Sequence, residues 1–373
     1  MVSKSRRAFL AGTLGAATIP LAGCWSDDTT PVATRYQTAA LRVVAKYRMP
    51  GALASVRVPG EPEWKQAFGH SDIASRTPTD PLGHYSIRSV TKSYAVTLIL
   101  QLVREKRLAL DDKLDAFVPG VPNGASITIA DLAGMQSGIA EYTTSKAFLA
   151  DWGKDFARPF TEDQLVAYAV PLSPKFAPGA EYEYSNTNTV LLGMIVEKIT
   201  GLSMAQALEA RIFVPLALHD TMYPYVVPLP APHPTPYDVD FVTGATEVLP
   251  LISPTLLAAA GAMVSTIDDM QTWGRALGDG RLIGAELQLE RINRSRPATN
   301  GPTYDRYGLG IGILDGWWGH TGDGVGFQAA TFYDPQTLAT IAVLVNATPG
   351  NNPPFLNYAE EVFRALAEVI ASR

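Results

Sequence analysis

Hydrophobic and polar positions divide the chain into three regimes. Over residues 34–48 apolar side chains return at helical spacing, and Met49-Pro50-Gly51 closes the run. Residues 52–58 and 64–69 then predict two strands around the turn Pro59-Gly60-Glu61-Pro62. Residues 85–110, YSIRSVTKSYAVTLILQLVREKRLAL, are the centre of the pattern. From Val90 to Leu102 this stretch is apolar on nearly every side, which predicts a helix buried all round. It ends in Arg104, Glu105, Lys106 and Arg107, mostly cations where the helix dipole is negative. Short helical pieces follow at 128–136, 161–168, 189–200 and 204–211, with no strand pattern among them. Seven prolines in residues 215–236 exclude both a helix and a central strand, and predict a long surface loop. Strands return in 307–314 and 317–320, flanking the hairpin pair Asp315-Gly316, and in 327–333 and 339–345 around Asp334-Pro335-Gln336. A closing helix is expected over 354–371. Strands at both ends of the chain thus bracket a helical middle. The economical fold is α/β (α+β): an antiparallel sheet built from both termini, covered by the first and last helices, with an all-helical region inserted.

Composition narrows the setting. The 373 residues carry a formal charge of −6 with no clustered basic stretch, which argues against a nucleic-acid partner. Ser5-Arg6-Arg7-Ala8-Phe9-Leu10 and the short apolar run after it look like a twin-arginine export signal. Leu21-Ala22-Gly23-Cys24 resembles a lipobox, after which Cys24 would become the lipid-bearing first residue. Cys24 is the only cysteine, so an internal disulfide is excluded and folding before export is unhindered. Removing residues 1–23 takes away Lys4, Arg6 and Arg7 and no acid, leaving the mature chain more acidic. The expected organisation is a signal peptide (1–23), a tether (24–33) and one domain (34–373). Its α/β part spans about 34–90 and 265–373 and its helical part about 91–264. The expected location is the periplasm or cell exterior, with the protein held to a membrane through lipidated Cys24.

Ser89 and Lys92 stand three apart at the start of the buried helix, so the amine lies about one turn along from the hydroxyl. Unpaired backbone N–H groups surround a serine in a first turn, which suits a developing oxyanion. A lysine drawn into a buried site there shifts toward its neutral form and can accept the serine proton. A chain of this length contains roughly one S-x-x-K by chance, so the pair needs partners. Two other triplets supply them: Tyr184-Ser185-Asn186, the only Y-x-N in the chain, and His320-Thr321-Gly322 at the end of a strand.

In the order S-x-x-K, Y-x-N, H-T-G these residues resemble the active-site set of the penicillin-recognising serine hydrolases. That family includes D-alanyl-D-alanine carboxypeptidases, class C β-lactamases and related esterases. The likeness extends to SVTKS at Ser89, YSNTNT at Tyr184, AGAMVS at Ala260 and YGLG at Tyr307, and is closest to the carboxypeptidase branch. It implies the β-lactamase/transpeptidase-like fold and a carboxypeptidase-like, penicillin-binding serine hydrolase that forms an acyl-enzyme on Ser89. It further implies that Lys92 and Tyr184 shuttle protons, and that Asn186 orients the lysine and holds a substrate amide. His320, Thr321 and Gly322 would line the sheet edge against which substrate lies. The N–H groups of Ser89 and Asp323 would form the oxyanion hole. The implied partner is a small molecule or peptide: a peptidoglycan peptide, a β-lactam or an ester. No metal or cofactor is implied.

Rival chemistries fare worse. No G-x-S-x-G elbow exists, His70-Ser71-Asp72 is sequential where triads assemble in space, and the five histidines lack metal-ligand spacing. A non-enzymatic binding or sensor module on the same fold would typically lack one of the groups present here. One departure matters for substrate choice. The carboxypeptidase branch commonly carries an arginine on the strand before the third motif, to pair the substrate's terminal carboxylate. Here that strand reads Ile311-Gly312-Ile313, and Asp323 adds negative charge beside the motif. This favours an esterase, or a D-amino-acid amidase or aminopeptidase recognising an amine through Asp323. Gly312→Arg, and protonation of His320, are expected to favour carboxylate substrates.

Overall fold

The computed structural model describes residues 30–350 and 355–373. The export signal, Cys24 and most of the tether lie outside the described residues, as does the expected start of the closing helix. A nine-stranded antiparallel sheet runs in the order Thr77–Pro78, Trp64–Asp72, Gly51–Arg57, Thr340–Val345, Phe327–Tyr333, Trp317–Gly324, Gly312–Leu314, Arg306–Tyr307, Arg296–Pro297. The chain's first long strand pairs with its last, Ala52 opposite Val345 and Ala54 opposite Val343, so both termini do build the sheet. The first helix, Val32–Lys46, and the last, Tyr358–Ala371, share one face of it. Phe363 of the last helix stacks on Phe332, ring centres 4.3 Å apart, and meets Trp317 edge-on at 5.4 Å. The other face carries Ile267–Asp279 and, beyond it, the helical region.

The buried stretch becomes helix only from Thr91 to Arg104, and every residue from Thr91 to Leu102 is buried. Tyr85–Ser86 pairs instead as a short strand with Val264–Ser265, and Arg88–Val90 forms a single tight turn before the helix. This helix packs against Asn186–Thr200, so the first two motifs meet at one crossing of helices. Tyr94 stacks on Trp273 at 3.6 Å, and the Trp273 indole N–H donates to Ser93 Oγ at 3.0 Å, fixing the helix against the sheet layer.

Two strand readings need correction. Residues 307–314 are not one strand: the chain leaves the sheet at Gly308 and returns at Gly312. Between them the Leu309 and Gly310 N–H groups bond the carbonyls of Arg291 and Ala133, in the helices Ala285–Asn293 and Ile129–Ala133. The middle of the chain also holds strands Tyr237–Val239 and Thr246–Val248, which join Ala347–Thr348 in a small sheet. The proline-rich segment is irregular after the short helix Val214–Leu216, but buries Leu218, Tyr223 and Leu229. The Asp315-Gly316 turn is as expected, with Leu314 opposite Trp317. Among the described residues no single helix is long and apolar enough to cross a membrane.

Candidate active site

Ser89 lies in the tight turn that opens the buried helix, and it is partly exposed while both neighbours are buried. Arg88 before it adopts a left-handed backbone, φ 49°, an unusual conformation for a bulky residue and one that clusters at functional sites. Three contacts hold the turn. The Ile87 N–H bonds Met263 O at 3.0 Å, the Met263 N–H bonds Thr91 Oγ1 at 3.2 Å, and the Arg88 guanidinium bonds the carbonyls of Gly324 and Val325 at 2.9 Å each.

Lys92 is fully buried and its Nζ has three oxygen neighbours: Ser89 Oγ at 2.8 Å, Asn186 Oδ1 at 2.6 Å and Ala260 O at 2.8 Å. Burial pulls its pKa from 10.5 down to about 7, with the Glu141 carboxylate acting in the opposite direction. Near neutrality much of it is therefore an amine with two N–H bonds and one lone pair. Asn186 Oδ1 and Ala260 O can only accept, so the two N–H bonds go to them. The lone pair is then left facing Ser89. This arrangement can take the serine proton.

Tyr184 closes the other side. Its ring lies under Lys92 Nζ, 4.9 Å from the centroid, and its buried hydroxyl has no hydrogen-bond partner of ordinary geometry. Burial pushes the phenol well above its ordinary pKa, against a smaller pull from Ser89. At neutral pH Tyr184 is therefore held as the protonated phenol, while Lys92 is partly the free amine. Asn186 begins its helix, and its N–H is taken by the Glu141 carboxylate, which also accepts from the Thr143 N–H at 3.1 Å.

The third motif runs along the strand Trp317–Gly324, beside the serine turn. Gly322 must be glycine: a Cβ there would stand 2.1 Å from Ile87 O. Asp323 has a solvent-exposed side chain although protein surrounds it on most sides. That surrounding mass raises its pKa, against the Gln328 amide, which donates to it at 2.7 Å, and the Arg88 charge.

His320 and Thr321 do not stand open to a ligand as expected. His320 is fully buried between Tyr307 and Tyr304, with Nε2 3.0 Å from one hydroxyl and Nδ1 3.2 Å from the other. Burial, and then Lys92, drive its pKa down to about 3, so the expected protonated histidine does not form in the neutral range. Thr321 is also buried, its N–H and Oγ1 both bonded to Tyr304 Oη at 2.8 and 2.7 Å. Gly312 has no room for arginine, since a Cβ there would come 2.5 Å from the Tyr304 ring. The structure thus brings Ser89, Lys92, Tyr184 and Asn186 together, sets Gly322 and Asp323 beside them, and turns His320 and Thr321 inward.

The likeness extends to whole chains. Residues 37–364 match the Beta-lactamase family model. The chain belongs to that family. Among relatives of this β-lactamase-family chain, the D-aminopeptidase of Brucella melitensis biotype 1 is 28% identical over 229 residues, 61% of this chain and 42% of the relative. Penicillin-binding protein 4* of Bacillus subtilis is 29% identical over 164 residues, 43% of this chain and 35% of that one. The chain thus spans less than half the length of these curated relatives. Two solved structures match nearly end to end. A D-stereospecific amidohydrolase from Streptomyces shares 31% identity with a TM-score of 0.78, covering 90% of this chain and 98% of its own. The D-amino acid amidase of Ochrobactrum anthropi shares the fold at a TM-score of 0.81 and 24% identity, covering 92% and 99%. The fold is the mixed α/β one of the β-lactamases and transpeptidases.

Three residues at the site carry no mark in the sequence. Glu141 and Tyr304 reach it from distant segments, and no local spacing announces them. Arg88 adjoins the serine, but its value lies in its burial. It is a cation beside the third motif where the sequence shows none, and its guanidinium is committed to carbonyls.

Proposed function

We propose that the protein is a serine hydrolase of D-amino-acid amides or of peptides with an N-terminal D-residue, acting through an acyl-enzyme on Ser89. Lys92 removes the serine proton as the hydroxyl attacks the substrate carbonyl. Tyr184, neutral and unpartnered, passes a proton to the leaving nitrogen, and later relays one from the attacking water. The Ser89 and Asp323 N–H groups receive the oxyanion. Strand geometry supports the second donor: alternate residues send their N–H groups to the same edge, and that of Thr321 already points to Tyr304.

The observation that carries the substrate class is Asp323, an accessible carboxylate beside the serine turn with the nearby Arg88 guanidinium spent on Gly324 and Val325. It suits a substrate ammonium and repels a terminal carboxylate. The D-aminopeptidase and amidohydrolase relatives support the same reading, and the carboxypeptidase reading has less behind it. We place the enzyme outside the cytoplasm, anchored through Cys24.

The test is a panel on the purified protein: D- and L-alaninamide, N-acetyl-D-alaninamide, D-alanyl-D-alanine peptides, nitrophenyl esters and a chromogenic cephalosporin. The D-amide with a free amine is expected to lead. Asp323→Asn is expected to lower its kcat/KM by about ten- to a hundredfold, the worth of one charged hydrogen bond, while sparing the acetylated amide. Equal turnover of free and acetylated amides, unchanged by Asp323→Asn, would overturn the reading.

A further inference from the structure

The hairpin loop between Arg296–Pro297 and Arg306–Tyr307 reaches across the third motif and is pinned at several points. The Tyr184 N–H bonds Asn300 O at 3.3 Å, Thr303 Oγ1 donates to Glu360 at 2.6 Å, and Gly301 packs on the Tyr184 side chain. Its last residues carry Tyr304 inward. The strand beside the third motif, Gly312–Leu314, stops where Gly312 faces Gly319, so from His320 onward that edge has no strand partner. An open edge is where an extended ligand adds its own backbone or terminal carboxylate. Tyr304 fills it. Its hydroxyl takes the N–H and the Oγ1 of Thr321 and meets His320 Nδ1, and its ring is seated over Gly312.

We propose that Tyr304 is a specificity-determining residue that closes the third-motif edge to a leaving residue whose carboxylate would sit at Thr321, restricting the site to amides, esters and peptides long enough to carry their terminal carboxylate beyond it. The donors that would hold a carboxylate at Thr321 are spent on Tyr304, and the seat of a pairing arginine at position 312 is covered by its ring. The phenol cannot substitute for a cation, since it is neutral when protonated, the form that burial favours here. The inference rests on the serine-hydrolase reading above, but not on the role given to Asp323.

The test compares N-acetyl-D-alanyl-D-alanine with its C-terminal amide, a pair that differs only in the carboxylate and carries no free amine. Wild-type protein is expected to favour the amide in kcat/KM. Tyr304→Phe, which returns two donors to Thr321, is expected to narrow that preference by about tenfold, and Tyr304→Ala to narrow it further. Labelling of Ser89 by a fluorophosphonate at the wild-type rate certifies an intact site, and if Tyr304→Ala fails that control the conservative Phe variant decides alone. Equal wild-type rates on the pair, or an unchanged ratio in a variant that labels normally, would overturn the proposal. Failure of the amine reading shows separately, in the free-against-acetylated amides and in Asp323→Asn.

Discussion

Asn186→Asp tests the protonation logic of the site with a nearly isosteric change. Asn186 Oδ1 lies 2.6 Å from Lys92 Nζ, so the variant sets a carboxylate where a neutral acceptor stood. A hydrogen bond to a charged group is worth roughly 1.5–3 kcal/mol against roughly 0.5–1.5 for a neutral one, and about 1.4 kcal/mol corresponds to one pH unit. Lys92 titrates at about 7 in the wild type, so about half of it is the free amine at pH 7. Raising that value by about one to two units leaves roughly one to ten per cent as amine. The sign follows: stabilising the ammonium depletes the base, so the loss is greatest at neutral pH and disappears in alkali. Acylation by p-nitrophenyl acetate, which carries no titrating group, is the assay. The acid limb of its pH profile is expected near 7 in the wild type and about one to two units higher in Asn186→Asp. Activity at pH 7 should fall about five- to fiftyfold and recover by about pH 10. Asn186→Ala removes the acceptor without adding charge and is expected to lower the rate without raising the limb. A limb in Asn186→Asp that stays near 7, or a loss equal at every pH, would refute Lys92 as the base.

Three further outcomes are expected. Lys92→Met should abolish acylation yet raise the unfolding temperature at pH 7. The folded-state pKa is depressed, so the unfolded chain binds more protons between about 7 and 10.5, and wild-type stability rises with pH across that window. The penalty removed is at most roughly 4–5 kcal/mol, less what Asn186 and Ala260 lose, and thermal melts at pH 7 and pH 10 should show the gain shrinking in alkali. Gly322→Ala forces a Cβ to 2.1 Å from Ile87 O and should cost both melting temperature and fluorophosphonate labelling of Ser89; wild-type labelling would show that the strand can retreat. For export, Arg6→Lys with Arg7→Lys should hold the protein in the cytoplasm, and Cys24→Ser should remove it from the detergent phase, both read by fractionation and immunoblot.

What the sequence discloses here depends on how far apart the interacting residues lie. Both terminal strand pairs, the Asp315-Gly316 hairpin and the buried helix follow from periodicity and turn chemistry within about twenty residues. Strands 237–239 and 246–248 escaped because they are three residues each and find their third partner at Ala347. The break at Gly308–Ile311 escaped because its hydrogen bonds go to Arg291 and Ala133, which no local pattern connects to it. The site divides the same way. Ser89 and Lys92 declare themselves by one turn of helix. His320 and Thr321 have residue types that suit a ligand, yet a strand's sequence does not say what covers its edge, and Tyr304 covers this one.

The contacts that hold the serine turn are also the ones that commit the nearest cation. A left-handed Arg88 costs on the order of 1–3 kcal/mol and persists only where its surroundings over-determine it. Part of that surrounding is Arg88's own side chain, which carries its charge into the protein to reach Gly324 and Val325. Burial lowers its pKa to about 10, with Asp323 opposing, so the guanidinium remains charged. The charge is nonetheless spent: it fixes the strand end against the serine turn and cannot travel to a substrate carboxylate. Asp323 keeps its exposed carboxylate at the same place. Clamping the turn in this way lets Ser89 face the Lys92 lone pair without rearrangement. It also leaves the Asp323 carboxylate as the exposed charge beside the serine turn, so on the proposed function the contacts that ready the serine would also disfavour a carboxylate placed there.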